Sequence, residues 1–551
     1  MAIDLETLLD SRTSTVEVLA LGEPTHGEPA FPRLRNQIFE QLAARGFRSI
    51  AVESDRIAGH AVDAYVRGAS ETLDDVLSKG FSHGLGALAA NRELLEWMRA
   101  YNQSVPHGER LTFHGFDAPL EMTSAPSPGP YLRHLRDYLL AHIGAQGLPA
   151  GAGNVDQLIG DDAQWSDPAA LMDGRNSIGR SSKAAALRVL ADDLLTTLYT
   201  HAPRLTAAST PDDWRQARLH ATTARGLLRY HATAADPAPA AERTSRLLGV
   251  RDAWMAQNLL DIRAAEQHRG PTLVFAHNRH LQRHPSTWLL GGMDLEWSSA
   301  GAIVGTLLGP RYAHVVGSLG ASSALGLQAP ARDTFEGALG TATAQGPIFD
   351  AACLTTLLGH ARVRTDMTAE QGYFPLDAET VAHCDAVWHI DRFPAAATTV
   401  AARIQELPGV TQLQAGPQSE APEVSWDERF FFVGPDRRRP FATIVGHDLP
   451  GFDEQSRLDR VGVFRLNIEL GRTKFQQVFG YPPQEFPDHR NQVDFAAMDQ
   501  IVPHPIYAVQ GWASILNTGT SSQTKVEHLL AHAHQRAAER ERRRAQRAQP
   551  T

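Results

Sequence analysis

At 551 residues the chain is too long for one ordinary core, and roughly 100–200 residues per domain gives an expectation of two to four domains. Its 42% apolar and 21% charged residues are those of a soluble globular protein. A net charge of −10 gives no general attraction to nucleic acid or an anionic membrane, so a small molecule is the expected partner.

The opening MAIDLETLLDSRTS carries acidic residues where a signal peptide needs basic ones, and it lacks a continuous apolar region. No stretch approaches the length of a membrane span, so a cytoplasmic protein is expected. The first strand is expected over Val16–Leu21. Gly22 should break it into a turn holding Glu23 and His26, and an amphipathic helix with Leu34, Ile38 and Leu42 on its apolar face should follow. A second apolar run, Ser49–Val52, ends in Glu53 and Asp55, completing a strand–loop–helix–strand unit. Helices near Ala61–Arg67 and Ala89–Asn102 lead to a third strand at Leu111–Asp117. Strands separated by helices imply a parallel sheet with right-handed crossovers.

Between about 125 and 267 the pattern is almost wholly helical, with helices expected near Pro130–His142, Lys183–His201, Asp212–Ala234 and Ala241–Gln267. Such a block, inserted in an α/β domain, caps its sheet. Strands return at Pro271–Ala276 and Tyr312–Leu319 and more weakly at Pro347–Asp350. The texture changes around Phe393–Thr399. A short helix at Val400–Leu407 then precedes strands at Arg429–Val433, Phe441–His447, Val463–Leu470 and Pro505–Leu516. The terminal helix from Lys525 runs into AAERERRRAQRAQPT, read as a solvated and fraying end. The expected division is therefore an α/β domain over 1–395 with its helical insertion at about 125–267, a small α+β domain over 398–540, and a charged tail over 541–551. Cys353 and Cys384 are the only cysteines, too few for a disulfide scaffold or a cysteine zinc site.

Ligands of parallel α/β sheets bind outside the carboxyl ends of the strands, which makes the polar residues there the candidates for chemistry. A carboxylate orienting an imidazole is the usual general base for water, and Glu23 and His26 supply that pair in one glycine-flanked turn. Alone, such a pair is more often a cap or a surface contact. Arg35, nine residues after His26, sits early enough in its helix to lean over the strand ends, although a surface arginine is its simpler role. Glu53 and Asp117 each end a strand facing the same cleft, and a structural cap is a comparable role for Asp117. His277 and His280 leave the strand PTLVFA together, able to bind a metal, polarise an oxyanion or carry a proton. Arg251 and Asn258 share one helix face, where an ordinary buried polar contact is the plainer reading.

In order, the motifs LALGEPTHGEPAF, GFRSIAVESD, GFSHGLGALAANRELLEWM, FHGFDAP, RDAWMAQN and VFAHNRHL resemble the erythromycin esterase family over roughly Leu19 to Arg392. The resemblance implies a three-layer α/β/α parallel-sheet domain with a large helical insertion, and hydrolysis of a macrolide-type lactone without an obligatory metal or other cofactor. Carried onto this chain, His26 would be the general base, with Glu23 and Glu53 orienting it or the water. Arg35, His277 and His280 would polarise the lactone carbonyl, and Asp117, Arg251 and Asn258 would line the substrate site. Arg279 stands where many relatives carry glycine, which bears on substrate identity. The C-terminal part resembles a small actinobacterial domain family of unknown function. Its Phe430–Phe432, His447–Asp448 and His504 could line a pocket, or serve as core aromatics and turn formers.

The leading expectation is a carboxylic ester hydrolase opening a bulky apolar lactone. No Gly-x-Ser-x-Gly elbow follows any predicted strand, which disfavours a serine nucleophile. Alternatives on the same residues are a hydrolase binding zinc or manganese through Glu23, His26, Glu53, His277 and His280, a biosynthetic enzyme catalysing elimination or cyclisation, and a ligand-binding protein without turnover. Sequence leaves the oligomeric state open.

Overall fold

Long apolar runs that show no alternation belong in a sheet covered on both faces, and that is where the run after Val16 lies. Eight strands form one sheet: β1 (Ala2–Ile3), β2 (Val18–Glu23), β3 (Ser49–Asp55), β4 (Thr112–Asp117), β5 (Thr272–His277), β6 (Tyr312–Leu319), β7 (Ile348–Asp350) and β8 (Ala386–Ile390). Their order is β1-β7-β8-β6-β2-β5-β3-β4, with every pairing parallel except those of β7. The computed structural model describes residues 2–3, 16–121, 124–322, 325–342, 348–350, 354, 357–390, 395–415, 428–434, 437–449, 451–458, 463–519 and 522–548. Most of the opening segment, Cys353 and the junction at 391–394 lie outside these residues.

Successive residues of a strand face opposite sides, and β2 divides its apolar residues accordingly. Leu19 and Leu21 face Phe31, Phe39 and Leu42 of the helix Ala30–Ala44 and Met98 of the helix Ala89–Ser104. Val18 and Ala20 face Met255, Leu259 and Ile262 of the helix Ala240–Glu266. The result is the expected three-layer α/β/α arrangement. The helical insertion has a core of its own, built from Leu132, Leu139, Leu187, Leu194, Leu198 and Leu228.

Strand β2 does not break at Gly22. It continues to Glu23, paired in register with β5 from Val18–Thr272 through Glu23–His277. Gly22 serves close approach instead of a bend, because a Cβ there would lie 2.2 Å from Asn278 Oδ1. That amide bridges Gly317 of β6, accepting its N–H at 2.9 Å and donating to its carbonyl at 2.8 Å. Trp388 donates from its indole to the Gly22 carbonyl at 2.6 Å. Strand β3 likewise runs past Val52, with an irregularity in its pairing to β4 between Val52 and Asp55. Such irregularities re-aim side chains, and this one falls at Glu53.

The sequence reading passed over β8, the helices Leu73–Lys79 and Ala300–Leu308, and the hairpin Ser286–Leu290 with Met293–Trp297. These are elements of five to nine residues, too short for periodicity to mark. In the C-terminal part, six strands pair antiparallel in the order Val410–Gln414, Arg429–Val433, Ala442–Val445, Arg465–Glu469, Trp512–Leu516, Ile501–Pro503. Phe431, Phe441 and Phe464 join Leu529 and Ala533 of the helix Gln523–Ala548 in a second core. That helix is not simply solvated at its charged end. Arg540 pairs at 2.6 Å with Glu469, whose side chain is buried. Among the described residues no helix is long and apolar enough to cross a membrane.

Candidate active site

Because β2, β5, β3 and β4 are neighbours in the sheet, their carboxyl ends bring Glu23, His277, Glu53 and Asp117 side by side. His26 stands over them from the turn after β2, its side chain about half exposed (49%) and its Nδ1 2.8 Å from Glu23 Oε1. Its Nε2 lies 3.8 Å from Glu53 Oε1. Burial opposes the charged imidazole, but Glu53 and Glu23 outweigh it and push its pKa up to about 9. The reference value near 6.5 assumed for a free histidine therefore does not hold here. Burial raises Glu23, with His26 opposing the rise.

Glu53 is the hub. Its Oε1 receives Arg251 Nη2 at 3.2 Å and faces His280 Nε2 at 3.3 Å, while its Oε2 accepts the backbone N–H of His277 at 2.8 Å. Burial favours the neutral acid, yet His280, His26 and Arg251 outweigh it and hold the carboxyl at about 2. Arg251 also donates to Asp117 from Nε and Nη2, at 3.0 and 2.5 Å. Despite complete burial, Asp117 is held below the usual carboxylate range by Arg251 and His83.

His277 is buried, and burial together with the charge of His26 drives its pKa well below 6.5. Its Nδ1 accepts the N–H of Arg279 at 3.2 Å, so the neutral ring carries its proton on Nε2. That atom is buried and, among the described residues, has no hydrogen-bond partner. Its ring lies 5.3 Å from the His26 ring, centre to centre. Arg35 is fully buried against Phe275 and donates to the amide oxygens of Asn36 and Asn91. It is not the surface arginine of the simpler reading. Burial lowers it to about 10. Glu23, His26, Arg35 and Glu53 together line a recess whose free volume, about 10 Å³, is the room of one water.

Three expected substrate contacts have their polar atoms engaged within the protein. His280 has both nitrogens engaged, Nδ1 with Asp252 at 2.9 Å and Nε2 with Glu53, so no ring atom is left for a ligand. Asn258 donates to the Phe116 carbonyl at 2.9 Å, tying its helix to β4 behind the cleft. Asp117 spends its oxygens on Arg251, His83 and the N–H of Ala118. Among the described residues no three His, Cys, Asp or Glu side chains are grouped as a metal site requires, the five named for the metal-bound alternative included.

Several contributors escaped sequence reasoning. Asp252 adjoins Arg251 and receives His280, Trp297 Nε1 and the N–H of Ala300. His83 holds Asp117 at 3.1 Å from a backbone with φ of 56°, a conformation that a non-glycine residue adopts at some cost. Its place in GFSHGLG was the available signal. In the C-terminal domain His504 uses Nδ1 to accept the N–H groups of Ile506 and Tyr507, and Phe431 is a core residue, so both take the structural roles.

A search of curated proteins gives no match. A Bacillus cereus protein of known structure aligns at 17% identity and TM-score 0.52 over 71% of this chain and 92% of its own, which speaks for the fold. A mutant of the erythromycin esterase EreC in its open conformation aligns at 16% identity and TM-score 0.49, over 70% of this chain and 94% of its own. A succinoglycan biosynthesis protein aligns at 15% and 0.48, over 70% and 90%. The model of a family of unknown function (DUF6194) matches residues 395–546. The erythromycin esterase family model matches residues 42–392, a span that holds Glu53, Asp117, Arg251, His277 and His280 and begins after Glu23, His26 and Arg35. With well over half its length matched and these residues gathered at the strand ends, the chain belongs to the erythromycin esterase family.

Proposed function

We propose that the chain hydrolyses a carboxylic ester or lactone of a bulky substrate, with a water activated by His26 as nucleophile. Family membership supports a hydrolase at the coarser level. The observation that carries the finer reading is the position of His26 between Glu23 and Glu53, above a water-sized recess and beside the unpartnered Nε2 of His277.

Donation from Nδ1 to Glu23 fixes the tautomer of neutral His26 and leaves Nε2 to accept a proton from water. As hydroxide adds to the acyl carbon, the imidazolium forms between two carboxylates, an environment already set for that charge. The developing oxyanion meets neutral donors in His277 Nε2–H and a cation in Arg35. Proton return from His26 to the departing alkoxide then breaks the C–O bond. Glu53 positions His26, and His280, Arg251 and Asp252 position Glu53. The α/β domain, read as residues 1–395, carries all of these groups, and the C-terminal domain is read as an accessory.

Mass analysis of a panel of macrolides and simpler lactones should show the gain of one water with the wild-type protein. His26→Ala should lower the rate by about 10²–10⁴-fold. A histidine-to-alanine variant that hydrolyses at the wild-type rate would refute the assignment. The pH dependence has a definite sign. With its pKa raised to about 9, His26 is protonated below that value, and only about one molecule in a hundred holds the base form at pH 7. The kcat/KM of the free enzyme should therefore climb through pH 7–9 and level off above about 9. A plateau reached by pH 7 would contradict the carboxylate-flanked base. Stability runs the opposite way. The stability that protonated His26 contributes is complete below about 6.5 and is lost as pH rises from there through about 9.

A further inference from the structure

The cations of the site nearly all have partners within the protein. Arg251 and His280 are bound to carboxylates, Arg35 to two amide oxygens, and His26 to Glu23. Arg279 is the exception. Among the described residues its guanidinium makes no hydrogen bond or ion pair, although the residue is half-buried. Its backbone is fixed at both ends, the N–H donating to His277 Nδ1 and the carbonyl accepting from Ser286 Oγ at 2.5 Å. Its guanidinium carbon lies 5.4 Å from the centre of the Phe374 ring. That ring abuts His277, with centres 4.8 Å apart, and Phe374 is held by its N–H to the Pro24 carbonyl at 3.0 Å. The cation is thus set one aromatic ring away from the donor proposed for the oxyanion.

A partly desolvated guanidinium is costly unless something pairs with it, and a stacked ring compensates only in part. Asp377 attracts Arg279, but its Oδ1 caps the helix Ala378–His383 by accepting the N–H of Thr380. Desolvation disfavours the charged form, which leaves the site in want of an anion. Resting on the hydrolase reading above, we propose that the substrate carries an anionic group, a carboxylate, close to its scissile ester, and that Arg279 binds it. A substrate with an ammonium group in that position would meet like charge, so an amine-bearing lactone is disfavoured.

The probes are phenyl esters whose short acyl chain ends in a carboxylate, a carboxamide or an ammonium group, with the matched unreactive anilides for calorimetry. At low salt the kcat/KM of the carboxylate ester should exceed that of the ammonium ester by about a hundredfold. The ratio should fall to about threefold in Arg279→Gln and persist in Arg279→Lys, which guards against a mere packing defect. The anilides should show the same order in binding. Turnover without charge preference, or a preference that Arg279→Gln leaves intact, overturns the proposal and spares the hydrolase reading. Charge-selective, Arg279-dependent anilide binding without ester turnover does the reverse. Neither turnover nor selective binding removes both.

Discussion

Replacing Glu53 with glutamine should cost about two to four orders of magnitude in kcat/KM at pH 10 and visibly less at pH 7. The carboxylate receives donors on both oxygens, Arg251 and His280 on one and the His277 N–H on the other. An amide must turn its NH2 toward one of these sets, so either orientation places donor against donor. The pH signature follows from His26. After burial, which opposes it, Glu53 is the largest influence on that ring, and the one that raises its pKa. Without that charge the base form becomes commoner at pH 7, which offsets part of the loss. Above pH 9 the wild-type base is already free, and no offset remains. Breaking a buried ion pair also costs about 3–5 kcal/mol of stability, measurable by urea denaturation. An equal loss of activity at both pH values would show that Glu53 does not set the protonation of His26.

Gly22→Ala should destabilise the domain by about 2–5 kcal/mol, combining overpacking with lost hydrogen bonds. The new methyl would sit 2.2 Å from Asn278 Oδ1, and either the amide leaves Gly317 or the strand moves. Asn278→Ala removes the obstacle along with the bridge. The double variant should therefore cost clearly less than the two single changes together. Denaturation midpoints for the four proteins decide it, and simple additivity would mean that the methyl is accommodated elsewhere.

The sheet was legible in the sequence wherever a strand was long and apolar. TLVFAH and YAHVVGSL were placed to within a residue, as were the four long helices of the insertion, while the strands of VLALGE and SIAVESD were found but ended two and three residues too soon. β8 was not, because five residues give too little pattern, yet its Trp388 braces Gly22. The candidate site was readable as a set of strand-end residues, since topology alone brings Glu23, Glu53, Asp117 and His277 together. Which of them face a ligand was not. His280 and Asn258 share sequence surroundings with cleft residues, but a carboxylate and a backbone carbonyl from distant segments claim their polar atoms. The shifted pKa of His26 was equally hidden, because it depends on a distance to Glu53 that no spacing along the chain encodes.

The Asn278 bridge has one more consequence. The N–H of Gly317 is protected from solvent exchange by a side chain and not by a neighbouring strand. That side chain follows directly on His277, whose own N–H holds Glu53. Amide exchange at Gly317 should therefore report a local opening at the strand ends, while exchange deep in β2 and β5 should report global unfolding. The difference between the two free energies is a direct measure of how firmly the strand ends are held, obtained without any substrate.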